Sequence, residues 1–252
     1  MKKIALIVLL CFTAMNYAQE VDYVALSTKF VQAALSNDPK FDDYKAIIAK
    51  ADEAQLLKQI EDDTNKKTFF INLYNGFTNN ELKKHPEKYE DRGAFFKSKQ
   101  FVIAGHELSL DVIEHGFLRR SSIKWSLGKL HKLFPSKLDR TYRVDEVDYR
   151  IHFALNCGAK SCPPVVAYTS KDLDQQLEKS TRDYVTKIAK YNKEEDEITL
   201  PVLMSWFRGD FGSRCGILKI IKKLELVPED QKPKFKYADY DWTLDVKNQK
   251  IN

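Results

Sequence analysis

A change of hydrophobic period constrains this chain most. Over roughly its first third, apolar residues recur at helical spacing; beyond about residue 100 the spacing shortens and breaks up. In 21–35, Val24, Phe30, Val31, Ala34 and Leu35 fall on one helical face, and Asp38-Pro39 ends the run. Residues 42–60 read as a second helix with Ile47, Ile48, Leu56 and Ile60 as core positions, and Thr64 is placed to cap a third that ends at His85-Pro86. Then 101–103 and 108–110 flank Gly105 as a short hairpin. Asp111 and Glu114 have the spacing of a capping box opening a helix with Ile113, Phe117 and Leu118 on its apolar face. Residues 150–157 alternate as a strand; 172–188 is helical; 198–200 is a short strand; 201–207 and 215–224 are short helices, the second capped by Ser213. A polar connector, 228–236, leads to a closing strand over 240–246. Helices clustered early with scattered later strands predict a single mixed α+β domain with a small, mostly antiparallel sheet.

Composition narrows the classes. With 43% hydrophobic and 31% charged residues, the 252-residue chain is neither disordered nor collagen-like. It is long enough to bury a core without relying on disulfides or metals. Residues 1–18 have the pattern of a signal peptide: Lys2 and Lys3, an apolar run over 4–15, and the small Ala18 before the cut. That run is too short for a transmembrane helix of ~20 residues. The expected mature chain, 19–252, is exported, periplasmic or secreted, with no transmembrane segment. Removing the leader takes Cys11 and lowers the formal charge from +5 to about +3. The remaining lysines are scattered, so nucleic acid is not an expected partner. Cys157, Cys162 and Cys215 remain.

Three segments carry candidate chemistry. Residues 69–83 are apolar almost all round, yet Asn72, Asn75 and Asn79 share a face. Buried asparagines need hydrogen-bond partners, so they form either a structural network or a site in which Asn75 orients a base or ligand and Asn72 contacts substrate. His115 follows Glu114 and precedes Gly116, which leaves room for a close approach. In 150–164 an apolar run delivers Cys157 to a turn at Gly158, where successive amides can form an anion nest and Lys160 adds positive charge. Both favour a thiolate nucleophile, with His115 or His152 as base and the Gly158 amides as oxyanion donors. The competing reading is a Cys157–Cys162 disulfide in a non-catalytic binding module. The spacing of these cysteines and His152 matches zinc sites poorly, and no nucleotide or phosphate-loop motif occurs, so neither metal nor cofactor is expected. The expected ligand is a small molecule or peptide.

The segments Phe70-Ile-Asn-Leu-Tyr-Asn75, Leu108-Ser-Leu-Asp-Val-Ile-Glu-His115-Gly-Phe-Leu-Arg119 and Arg150-Ile-His-Phe-Ala-Leu-Asn-Cys-Gly-Ala-Lys-Ser-Cys-Pro-Pro164 together resemble the domain-of-unknown-function 547 family. Tyr168, the helix after it and, weakly, 207–212 extend the likeness over about 64–216. The resemblance implies an exported bacterial member, with plant relatives fused to leucine-zipper regions; it implies no particular activity, substrate or cofactor. Some plant relatives carry Ser at the position of Cys162, which implies that a disulfide is not obligatory and draws attention to Cys157.

Overall fold

The computed structural model describes residues 20–247. The expected signal peptide, 1–18, with Cys11, lies outside the described residues. The described residues begin with α1 (Tyr23–Ser36), α2 (Lys40–Ala49), α3 (Glu53–Gln59), α4 (Asp63–Lys84) and the short α5 (Arg92–Lys97). The hairpin of β1 (Phe101–Ile103) and β2 (His106–Leu108) follows, then a π-helical turn over Val112–Leu118 and α6 (Lys137–Tyr142). After a 3-10 turn at Tyr149–Phe153 come α7 (Leu173–Ile188), β3 (Lys190–Asn192), β4 (Glu197–Leu200), α8 (Leu203–Trp206), α9 (Ser213–Lys223) and β5 (Lys234–Tyr237). β3 and β4 pair antiparallel and β4 and β5 parallel, so the second sheet is mixed. The α+β expectation holds.

Local chemistry explains the early helices. Asp22 caps α1 through the Ala25 amide at 2.8 Å, and Asn37 ends it in the left-handed conformation at φ 57°. The long α4 is capped by Asp62, which accepts from Asn65 N at 2.9 Å; Thr64 already lies inside the helix. It is buried on most of its circumference and packs against α1. The expected second helix is two, α2 and α3, because the chain turns at 50–52 and Asp52 caps a new start. Ile48, Leu56 and Ile60 are buried as expected, whereas Ile47 is 40% exposed.

Further expectations fail in the second half of the chain. Asp111 makes no capping hydrogen bond, and the segment after it winds as a π-helix, a form frequent at functional sites. Residues 150–157 form no strand. Asp148 accepts from Arg150 N at 3.1 Å and starts the 3-10 turn. The alternation of Ile151 and Phe153 has another cause: Ile151 packs into the main core around α1 and α4, and Phe153 into a second core around α7, α9 and the mixed sheet. Finally, 240–246 touches the sheet nowhere as a strand; one isolated bridge, Ala159 to Leu244, ties it to the cysteine loop. The connector before it contributes β5, and α9 is preceded by Gly212 without a side-chain cap from Ser213.

Candidate functional site

A cavity of about 450 Å³ lies where the two cores meet. The π-helical turn supplies Glu114 and His115, the 3-10 turn His152, and the loop after it Cys157 and Cys162. Its aromatic wall includes Trp206, Tyr240 and Trp242, whose rings lie with centroids 4.6 to 5.5 Å apart. The structure thus brings together Glu114, His115, His152 and Cys157 of the predicted site.

The cysteines are joined. Cys157 and Cys162 form a disulfide with Cα atoms 6.2 Å apart, while Cys215 is free and exposed. The Tyr240 hydroxyl lies 3.4 Å from the Cys157 sulfur and 3.1 Å from the Cys162 sulfur. Bonded sulfurs carry no hydrogen, so the hydroxyl donates. Burial pushes the Tyr240 pKa up, which keeps that hydroxyl protonated. In this state Cys157 is not a thiolate.

The amides predicted to form an anion nest are occupied. Asn156 N donates to Asn75 Oδ1 at 2.9 Å, Cys157 N to the Cys162 sulfur at 3.0 Å, and Gly158 N to Asn156 Oδ1 at 2.8 Å. Lys160 N and Ser161 N donate to the carbonyls of Thr243 and Asp241. The Gly158 turn therefore offers no amide pair to an oxyanion. Gly158 itself has φ 87° and packs against Leu82, Tyr89 and Leu244. Lys160 sits at the surface, paired with Asp241 at 3.3 Å.

The asparagines also lie outside the cavity. Asn75 is fully buried and donates to the Ala154 carbonyl at 2.9 Å while accepting from Asn156 N, so it fixes the backbone carrying the disulfide loop. Asn72 does the same for Tyr168, bonding both its carbonyl and its amide at 2.9 Å. Asn79 donates to the Val246 carbonyl. Gly116 does not open a path for a ligand; the Asp139 carboxylate packs against it.

Behind the histidines runs a buried charge chain that sequence reading missed. Asp210 accepts from Arg119 Nε at 2.6 Å and from His152 Nε2 at 2.8 Å, and Arg119 Nη1 reaches His115 Nδ1 at 2.8 Å. The Arg119 and Asp210 side chains are 0% and 1% exposed. A guanidinium only donates, so His115 Nδ1 is the acceptor and the ring hydrogen of neutral His115 sits on Nε2. That nitrogen is 3.8 Å from Asp111, beyond hydrogen-bond reach. An ionised Asp210 only accepts, so His152 carries hydrogen on Nε2 and its lone pair on Nδ1. Phe207 stacks on the His152 ring at 3.9 Å and beneath the Arg119 guanidinium at 4.6 Å.

Burial sets the charge states. It lowers the pKa of both histidines; for His152 it outweighs the hydrogen bond to Asp210, and for His115 the pull of Glu114. Burial opposes the charge on Asp210, yet hydrogen bonds from His152 and Arg119 hold its carboxyl below the usual value. Glu114 is likewise held low against burial, by His115 once that ring is protonated and by Arg119 at every pH, and Tyr74 contacts it from its hydroxyl at 3.3 Å. Two buried carboxylates, Glu114 and Asp210, thus face one buried fixed cation, Arg119. Arg119 closes the predicted 108–119 segment, and Asp210 stands between glycines among aromatics in Phe207-Arg-Gly-Asp-Phe-Gly212; both are visible in sequence, but their pairing across 91 positions is not.

Among the described residues, no three His, Cys, Asp or Glu side chains are grouped to hold a metal ion, and no helix is long and apolar enough to cross a membrane. The chain matches the family described as a protein of unknown function, DUF547, over residues 57–185. No curated protein and no solved structure matches it. The matched segment ends earlier than the expected 64–216 and excludes Trp206, Asp210, Tyr240 and Trp242; within it lie Glu114, His115, Arg119, His152 and both bridged cysteines. Covering just over half of the chain, that match places this protein in the DUF547 family.

Proposed function

We propose that the protein is an exported, non-catalytic binding module, stabilised by the Cys157–Cys162 bridge, whose cavity takes a small molecule or peptide presenting an amine. The observation that carries this reading is the bridged Cys157 sulfur in the wall of an aromatic cavity, facing the Tyr240 hydroxyl. A disulfide persists in an oxidising compartment, which fits export. The amine follows from charge: neutral His115 and His152 leave Glu114 and Asp210 balanced by Arg119 alone, while the ring faces of Trp206 and Trp242 attract cations. At the rim, Lys124 is already held by Asp111 at 3.0 Å and Arg92 lies 4.9 Å over Trp242.

The test titrates phenethylamine and phenylacetate into the protein and follows tryptophan fluorescence, since Trp206 and Trp242 line the cavity. Saturable binding of the amine, weakened about tenfold or more by Glu114→Gln and absent for phenylacetate, is expected. Equal response to both, or none, overturns the amine assignment.

A second reading rests on the shared cavity of Cys157, His115 and His152: a thiol-dependent hydrolase or transferase active only after reduction. Intact mass with and without reductant separates the two. A two-proton change mapped to the 157/162 peptide supports the binding module. Three free thiols without reductant, with Cys157 alkylated by iodoacetamide faster than Cys215, support the enzyme.

A further inference from the structure

The loop joining the π-helical turn to α6 holds large apolar side chains in solvent. Trp125, Leu130, Leu133 and Phe134 are 77%, 51%, 89% and 92% exposed. The loop base is built rather than loose. Ile123 N bonds the Leu130 carbonyl at 2.9 Å, Lys132 N the Ser121 carbonyl at 2.9 Å, and Leu130 N the Ser126 hydroxyl at 3.1 Å. Gly209 N also bonds the Leu127 carbonyl at 2.6 Å, tying the loop to the segment that carries Asp210. An ordered scaffold that displays such a patch marks an interaction surface.

The charges around it select the partner. Between Lys124 and Leu138 the chain has Lys124, Lys129, Lys132 and Lys137 but no acidic residue. Two of these are already paired, Lys124 with Asp111 and Lys132 with Asp139, each at 3.0 Å, which leaves the exposed Lys129 and Lys137 as the charges offered to a partner. Lysines interleaved with Trp, Leu and Phe match an anionic bilayer surface, where apolar side chains enter the headgroup boundary and lysine stems reach back to lipid phosphates. A second copy fits poorly, because a twofold contact would set lysines against lysines. The geometry points to this loop, 124–137, as a docking site for anionic membrane surfaces, with Leu133 and Phe134 as its inserting tip. Lys124 and Leu127 also line the cavity, so docking would bring its mouth to the lipid surface.

The experiment co-sediments the full chain with vesicles of phosphatidylglycerol mixed into phosphatidylcholine, and with phosphatidylcholine alone, at low and high salt. Two variant pairs are compared: Leu133→Ser with Phe134→Ser, and Lys129→Glu with Lys137→Glu. These positions are solvent-exposed, and circular dichroism checks that folding is unchanged. Binding to the anionic vesicles is expected to fall at least about tenfold in the serine pair, and to weaken with salt and in the glutamate pair. Absence of binding, equal binding to phosphatidylcholine alone, or binding that survives both pairs overturns the proposal; in the last case the apolar run 4–15 or another surface is responsible. Concentration-dependent dimerisation lost in the serine pair, without vesicle binding, also overturns it and assigns the patch to self-association.

Discussion

Removing the Asp210 carboxylate is the sharpest perturbation of the buried charge chain. In Asp210→Ala, His152 Nε2 and Arg119 Nε lose acceptors at 2.8 and 2.6 Å, and the guanidinium stays in a fully buried position. Arg119 has no slack to absorb this: its Nη2 already lacks a hydrogen-bond partner. Two charge-assisted bonds at about 1.5–3 kcal/mol each, and the usual cost of orphaning a buried charge, agree on a loss of about 3–5 kcal/mol. For a chain of this size that is a drop of roughly 6–20 °C in Tm. Urea unfolding followed by tryptophan fluorescence, with m checked for constancy, measures it. Adding Arg119→Met removes the orphaned cation, so the double variant is expected to be at least about 1 kcal/mol more stable than the two single losses summed. A single-variant loss below about 1 kcal/mol, or strict additivity in the double, would refute the view that Asp210 and Arg119 form one buried unit.

The other expectations concern the frame around that unit. Gly128 has φ 83°, and a methyl group there would overlap the Asp210 carboxylate, so Gly128→Ala should cost more than the ~1 kcal/mol of φ strain alone, read by thermal unfolding. Burial depresses the folded pKa of His115 and His152, so their contribution to stability is complete above the unfolded value of about 6.5 and is lost as pH falls from there towards the folded pKa; urea midpoints across pH 7 to 5 should decline, and a flat profile counts against neutral buried histidines. Reducing the Cys157–Cys162 bridge, which spans a separation of 5, should cost about 2 kcal/mol by chain entropy, measurable as a shifted urea midpoint with dithiothreitol. Asn75→Ala leaves the Ala154 carbonyl and Asn156 amide unpaired and should destabilise by about 2–4 kcal/mol; if it weakened phenethylamine binding without loss of stability, Asn75 would belong to the ligand site instead.

Much of the site was legible because its parts sit in short, unusual segments. Glu114 and His115 occur in one motif, and His152, Cys157 and Cys162 in another; all five line the cavity. The asparagines of α4 were legible as a buried polar face, but their partners were not. Asn75 answers to Ala154 and Asn156, and Asn72 to Tyr168, about 80 to 96 positions away. The strand expected at 150–157 failed because a short alternating apolar run does not distinguish one face of a sheet from two cores on either side of a tight turn.

The sequence by itself determined what depends on neighbours in the chain: the run of early helices, the break at Asp38-Pro39, the α+β class, and the two cysteines close enough to bridge. Tertiary structure decided what depends on which groups lose water together. It bound the Asn156 amide to Asn75 rather than leaving it to an anion, and set Tyr240 rather than a histidine against the sulfurs. It also linked His115, Arg119, Asp210 and His152 into one buried chain, with the Glu114 carboxylate beside it. Neutral histidines and ionised carboxylates are properties of that shared burial, because only in the folded interior does the cost of each charge depend on the others.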